Sequence, residues 1–501
     1  MTRPDQHARF RSRVAAAPLV AGALWYLGAY LVVALARINY PYDLEWMEGG
    51  TLEHVARILR GQPLYVPPSL EFTPYIYAPL YYYVAAPFAY LFGLRLVSLR
   101  LVSFAASLGV LALIAALVHG RTRSRLGALI GAGLFAALHD RTGAFFDLAR
   151  VDSLALFFML LGVWLLLASE RHDVAAGLLL AAACFTKQSM LLMAGPVVLA
   201  RAASLRGARR LQGLTVFVVV AAGGGLLLAL RTHGWSTYYL FTLPASHPWV
   251  PGAWFRYWRD DLFKAVPAAM LALALVIARA RGVRAARPVA LAAVFGSLVE
   301  AWSSRVHSGA FSNVLMPVYA CLAWQTGTVL GDLDQTARAP ASHEGLAPAK
   351  PGFLAAFAPW ACLIQLALLW YRPWRQVPTA ADRAAGAALV AKIASVPGPV
   401  LVPNHPHLAR LAGKATSAHE MALSDVMRSR DGSIADALAA DVNQRLRQRE
   451  FAAVVVDQEW WPADLNASYR PSQTLFVDEP AVFWPRTGWP TRPRTIYDRR
   501  P

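Results

Sequence analysis

The stretch VSLRLVSFAASLGVLALIAALVHGRTRSR, residues 97–125, decides the fold. Its apolar run over 97–119 meets the ~20 residues that an α-helix needs to cross a bilayer core, and Arg121, Arg123 and Arg125 follow at once. An apolar run stopped by a cationic cluster is the pattern of a transmembrane helix that ends on the cytoplasmic side. Similar runs recur at 17–36, 126–140, 151–169, 174–186, 189–203, 213–231, 262–280, 288–304, 309–328 and 353–371, eleven spans in all. Those at 126–140 and 174–203 are short and imply tilt or extension into polar flanks. Of 501 residues, 56% are apolar and 16% charged, and mean hydropathy is +0.39. A soluble chain of this length needs far more charge on its surface. Disorder, a coiled coil and a disulfide scaffold are excluded by the same composition, and the three cysteines all lie in apolar runs.

The first run follows Arg3, Arg9, Arg11 and Arg13 and ends in Ala34-Leu35-Ala36, as a signal peptide does. Its length and the spans after it favour an uncleaved anchor. With the N-terminus inside, every even-numbered span ends inside. Three basic clusters then become cytoplasmic: Arg121 to Arg125; Arg201, Arg206, Arg209 and Arg210; and Arg279, Arg281, Arg284 and Arg287. The net charge of +18 is therefore read as topology, with no nucleic-acid partner. Residues 75–93, rich in Tyr and carrying Pro79 and Pro87, must stay out of the count and read as an interfacial or re-entrant helix. The predicted architecture is a polytopic α-helical membrane domain, 1–371, whose first outer loop is 37–96, followed by a small extracytoplasmic α/β domain, 372–501. That tail carries predicted helices near 379–396, 417–428 and 433–449 and parallel strands at 399–402 and 451–457. The 43 Arg against 5 Lys, with abundant Ala, suit a high-GC bacterial genome and hence a bacterial inner membrane.

On this topology the outer face collects the polar chemistry. The first outer loop holds Asp43, Glu45, Glu48 and Glu53. Asp147, Arg150 and Asp152 precede the fourth span, Lys187-Gln188 forms the tip after the fifth, and Arg305, His307 and Asn313 lie between the ninth and tenth. A carboxylate can take the proton of an acceptor hydroxyl while cations hold a departing phosphate, and apolar grooves can hold a lipid chain. That combination describes sugar transfer from a lipid phosphate. Plainer roles compete at several positions: Asp43 as an N-cap, Glu53 with Arg57 as an i,i+4 pair, Asp152 at a helix N-terminus and Lys187 snorkelling to headgroups. Asn404-His405-Pro406-His407 in the tail reads as a solvated loop.

In order and spacing the chain resembles the C-type membrane glycosyltransferase superfamily, in the branch of protein O-mannosyltransferases and lipid A aminoarabinose transferases. Glu48 stands eight residues before Ala56-Arg57, GQPLY follows at 61–65, and Tyr77-Ala78-Pro79-Leu80-Tyr81 occupies the place of a Pro-rich segment. Ala149-Arg150-Val151-Asp152, Phe185-Thr186-Lys187-Gln188 and Gly309-Ala310 through Asn313 to Pro317 match later motifs over roughly residues 15–330. Where that branch carries an Asp, often Asp-Glu, this chain has Glu48-Gly49. The resemblance implies an inverting transferase using a polyprenyl-phosphate-linked sugar donor and a glycan, lipid or protein acceptor. Its base would be Glu48 by spacing, with Glu45 and Asp43 as alternatives. Arg305, Lys187, Arg150 and His307 would meet the donor phosphate. Asp147 and Asp152 would form a second acidic motif, and Gln188, Asn313 and Tyr81 would line the cavity. Some relatives bind a divalent metal through such a second motif, while the O-mannosyltransferase branch works without one; no cofactor is assigned. The competing expectations are a lipid-linked sugar flippase without chemistry, which needs inverted repeats, and a tail that serves as a binding module on a vestigial anchor.

Overall fold

A computed structural model describes residues 3–279, 286–338 and 353–501. A helix occupies each of the eleven apolar runs: α1 (Arg3–Arg37), α4 (Leu96–Thr122), α5 (Arg125–Ala137), α6 (Asp152–Ala168), α7 (Asp173–Thr186), α8 (Leu191–Ser204), α9 (Gln212–Arg231), α10 (Pro267–Arg279), α11 (Ala286–Arg305), α12 (Met316–Arg338) and α13 (Phe353–Leu368). Four are long and apolar enough to cross a membrane: Ala16–Arg37 within α1, α4, α9, and Ser312–Arg338, which includes α12. In the first loop lie α2 (Glu48–Leu59) and α3 (Leu80–Phe92). At about 1.5 Å per residue, the 13 residues of α3 reach about 20 Å, short of a ~30 Å hydrocarbon core. The exposed Tyr83, Tyr90, Leu91 and Phe92 suit a helix lying along an interface.

Successive helices reverse direction, so one end of the bundle gathers the C-termini of α1, α5, α7, α9 and α11 and the N-termini of α4, α6, α8, α10 and α12. The first loop folds over this end. The basic residues Arg121, Arg123, Arg125, Arg201 and Arg206 lie at the other end, where Arg201 pairs with Asp173. Of the third cluster, Arg281 and Arg284 fall outside the described residues. Within the bundle α5 and α12 cross on glycines. A Cβ on Gly127 would lie 2.6 Å from the Gly327 carbonyl oxygen, so the two backbones touch directly.

The tail begins at the loop end, directly after α13. It contains α14 (Ala380–Ser395), β1 (Val400–Leu401), α15 (Pro406–Leu411), α16 (Glu420–Met427), α17 (Gly432–Arg447), β2 (Ala453–Val456), α18 (Pro462–Ser468), β3 (Tyr469–Thr474) and β4 (Thr495–Arg499). Strands β1 and β2 pair in parallel, Val400 opposite Ala453. The sheet order is β1-β2-β4-β3, and β4 runs antiparallel to both its neighbours; β3 and β4 are the two strands that period-2 patterning did not bring out. Thr379 and Asp382 close a capping box that starts α14. The tail has no sharp hydrophobic boundary with the bundle: one apolar cluster runs from Tyr40 and Tyr42 through Leu389, Val402, Leu408 and Phe483.

Gly127→Leu is expected to lower the detergent-solubilised melting temperature steeply. Overpacking costs about 1–3 kcal/mol where side chains can yield, and here the obstacle is backbone. A melting temperature within error of the parent would refute the contact.

Candidate active site

The segment from Tyr40 to Glu48 is built around Arg100, a guanidinium that α4 carries into the loop end at 0% exposure. Its Nη1 donates to the Tyr40 carbonyl at 2.5 Å and its Nη2 to the Tyr42 carbonyl at 2.8 Å. Nε and Nη2 also reach Glu48 at 2.9 and 2.6 Å. Glu48 accepts two backbone amides as well, from Ala149 on Oε1 and Leu44 on Oε2, both at 2.8 Å. Its carboxylate is thus wholly buried with four donors, and it binds the start of α2, the incoming chain and the turn before α6 into one unit.

Asp43 and Glu45 lie on the chain that this unit holds. Asp43 Oδ1 accepts the Gly49 amide at 2.9 Å, in the first turn of α2, so it steadies the helix start from five residues before Glu48. The helix itself begins at Glu48. Glu45 is 2% exposed and meets Arg150 Nη1 at 2.8 Å. Burial pushes the Glu45 carboxyl up to about 7; Arg150 opposes that shift, and Glu48 and Asp43 add to it. Arg150 also donates to the Tyr77 hydroxyl at 2.8 Å, and its guanidinium stands 5.2 Å from the centre of that ring.

A second group adjoins this one through the turn before α6. Asp152 Oδ1 accepts from Lys187 Nζ and from Asn313 Nδ2, each at 3.0 Å. Lys187 lies 3.8 Å from Glu300, which accepts the Ser189 hydroxyl at 2.7 Å. Asp152 Oδ2 and Glu300 Oε2 are buried without a hydrogen-bond partner. Gln188 ties the loops around the group, donating to the carbonyls of Ile76 and Leu240 and accepting the Ala78 amide.

Other expected residues have different surroundings. Asp147 takes both donors of the Arg37 guanidinium, at 2.6 and 2.8 Å, with His139 at 3.6 Å, and so anchors the end of α1. Arg305 pairs with Asp261 at 2.9 Å and is part-exposed. The His307 backbone forms a bridge with Trp249, and its ring Nδ1 is buried without a partner. Tyr81 joins α3 to α4 by bonds to the Leu99 carbonyl and the Ser103 hydroxyl, both 3.0 Å.

Two sequence readings are corrected. Glu53 does not pair with Arg57: it is 5% exposed and is taken by Arg410 and Thr416 of the tail, while Arg57 donates to the Pro63 carbonyl. The Asn404–His407 turn is not solvated. All four residues are buried, Asn404, His405 and His407 at most 4% exposed, because the tail folds onto the first loop and His405 meets Asp43 at 2.8 Å. Arg100, Glu300, Tyr77 and the tail histidines were not singled out as site residues. For Arg100 and Glu300 the signal was present, an ionisable residue inside an apolar run. Among the described residues no group of three or more His, Cys, Asp or Glu is arranged to hold a metal ion.

Replacing Glu48 by Gln leaves Arg100 buried without its counter-charge. The cost is expected to be about 3–5 kcal/mol, read as a fall in melting temperature, with much of it recovered on adding Arg100→Met. A Glu48→Gln protein as stable as its parent would show that the pair does not hold the loop.

The fold matches solved membrane enzymes over most of its length. ArnT from Cupriavidus metallidurans in the apo state superposes with a TM-score of 0.58 at 15% identity, covering 95% of this chain and 97% of that one. The same protein bound to undecaprenyl phosphate gives 0.59 at 14% identity, with the same coverage. An Archaeoglobus fulgidus oligosaccharyltransferase tethered with an acceptor peptide gives 0.50 at 11% identity, over 86% of this chain and 69% of that one. No protein-family model matches the sequence, and no curated protein does. These structural neighbours are C-type membrane glycosyltransferases, and the chain shares their fold, with 95% of its length aligned to ArnT.

Proposed function

We propose that the protein is an inverting membrane glycosyltransferase that moves a pentose or hexose from a polyprenyl-phosphate donor to a glycolipid, polysaccharide or protein acceptor. On this reading all eleven helices cross the bacterial inner membrane, the N-terminus is cytoplasmic, and the loop end and the 372–501 domain face outward. The basic residues at the opposite end of the bundle support that orientation. One observation carries the reading: the Glu45–Arg150 pair, a carboxylate of raised basicity on a guanidinium, joins the first loop to the turn before α6 in a transferase-like fold.

Of the three loop carboxylates, Glu45 is the base we favour. Glu48 has every lone pair engaged by a fixed donor, whereas Glu45 shares one oxygen with Arg150 and titrates near neutrality. The acceptor hydroxyl loses its proton to Glu45 as its oxygen bonds to the anomeric carbon. The bond from that carbon to the donor phosphate breaks, and the phosphate leaves with the electron pair. Glu45 becomes neutral as the phosphate gains a charge, so Arg150 is released from the one and drawn to the other. Lys187 is the second cation, held by Asp152 and Glu300 until the phosphate competes for it. Arg305 and His307 would contribute from the adjoining loop.

Detergent-purified protein given undecaprenyl-phosphate-linked mannose, glucose, galactose and arabinose is expected to turn over at least one of them. Glu45→Gln is expected to cut that turnover by about 10²–10⁴-fold while elution and helical content are kept. Near-normal turnover in Glu45→Gln, with loss in a folded Glu48→Gln, would move the base to Glu48. Because burial raises the Glu45 carboxyl to about 7, only pH above that value leaves it ionised to accept a proton. Turnover is therefore expected to rise with pH through about 7 and then level, and a profile flat from about pH 5 to 8 would exclude Glu45 as the base.

A further inference from the structure

The tail meets the loop at or beside each of the three candidate bases, Asp43, Glu45 and Glu48. His405 Nδ1 meets Asp43 at 2.8 Å, and its Nε2 meets Asp457, just past β2, at 2.9 Å. Thr491 donates to the same Asp457 oxygen at 2.6 Å. At Gly488, where φ is +79°, an added Cβ would come within 2.8 Å of Glu45 Cγ and Oε1. Next to Glu48, an added Cβ on Gly49 would collide with the His407 ring. The backbone joins in: the Arg486 and Thr487 amides donate to the Leu44 carbonyl at 2.8 and 3.1 Å, and His419 Nε2 meets the Trp46 carbonyl at 2.8 Å.

We propose, resting on the transferase reading above, that the tail is a working part of the catalytic centre and that His405 is its positioning residue, bridging Asp43 and Asp457 to fix the loop segment that carries Glu45. A ring that serves two carboxylates through both nitrogens must carry two protons, so the bridge requires an imidazolium; a neutral ring can donate to only one of them. Asp43 passes the constraint on through its other oxygen, which holds the Gly49 amide and hence the start of α2. The bridge is 4% exposed at His405 and 2% at Asp457, so water does not replace a lost donor cheaply. The groups facing His405 are Asp43 from the loop, Asp457 from the strand end, His407 from its own turn and His419 from the start of α16. Burial pushes His405 down, but Asp457 and Asp43 outweigh it and hold the ring at about 10. The bridge is thereby intact throughout the neutral range, and its proton is lost only at alkaline pH. Removing the Asp457 charge takes away one of the two supports and brings that loss into reach.

The test uses the full-length protein and its Asp457→Asn variant at about pH 7 and about pH 9, with the four undecaprenyl-phosphate sugars named above as donors. Hydrogen exchange is read on a peptide covering residues 42–53, corrected for the intrinsic pH dependence of exchange. The wild type should keep its protection at both values, and its kcat should be higher at about pH 9 than at about pH 7, as the ionisation of Glu45 requires. Asp457→Asn should lose both at about pH 9, by about ten- to hundredfold, with donor KM unchanged; that is the scale of one charge-assisted hydrogen bond. His405→Gln, which keeps a donor and no charge, should already show at about pH 7 the exposed loop that Asp457→Asn shows at about pH 9. A pH profile for Asp457→Asn parallel to the wild type, or a loss equal at every pH, would overturn the bridge and leave a merely structural contact. A wild type that turns over none of the donors would sink the transferase reading instead, and the exchange data would still decide the bridge.

Discussion

Everything at the loop end hangs on the burial of one ion pair. Glu48 and Arg100 are both at 0% exposure, and neither can exist there alone. Satisfying them recruits four backbone groups: the carbonyls of Tyr40 and Tyr42 on the guanidinium, and the amides of Leu44 and Ala149 on the carboxylate. The path of the chain between Tyr40 and Glu48 is fixed from both ends, with Asp43 and Glu45 in between. Those two acids are therefore placed by a charge pair that neither belongs to.

The same economy governs the surrounding charges. Arg37 is taken by Asp147, Arg150 by Glu45, Lys187 by Asp152 and Glu300, and Arg410 by Glu53. In a low-dielectric interior each pair is strong, and an unpaired member is costly. Lys187 faces two carboxylates, and one oxygen of each, Asp152 Oδ2 and Glu300 Oε2, is buried without a hydrogen-bond partner.

How much of this was legible differs by scale. Apolar runs located eleven helices, most of them to within a few residues, because length and hydropathy depend on local sequence alone; α1 starts well before its run and α12 is displaced from its own by seven to ten residues. The Ala149–Asp152, Thr186–Gln188 and Gly309–Asn313 segments were found from motif spacing, and Asp152, Lys187 and Asn313 do share one carboxylate. What the sequence could not reveal were partners across long separations: Asp43 with His405, Glu53 with Arg410, Glu48 with Arg100. Local rules offered near neighbours instead, an N-cap for the first and an i,i+4 Arg for the second. The tail histidines were misread for the same reason. A polar turn looks solvated until the surface that covers it is known.

The signs of the charges at this rim follow from the way the bundle is wound. Each helix carries partial positive charge at its N-terminus and partial negative charge at its C-terminus, which favours acids at the first and bases at the second. Here Glu48 opens α2 and Asp152 opens α6, while Arg37 closes α1 and Arg305 closes α11; Lys187 follows the last residue of α7. Because consecutive helices run in opposite directions, N- and C-termini both open onto the loop end, although packed neighbours such as α1 and α5, or α4 and α6, run the same way. Acids and bases consequently stand beside one another on neighbouring helices, as Lys187 after α7 does with Asp152 at the head of α6. A reaction that takes a proton from a hydroxyl and sends negative charge onto a phosphate needs opposite signs a few ångströms apart, and an up-and-down bundle supplies that arrangement at its rim without any one helix having to carry both.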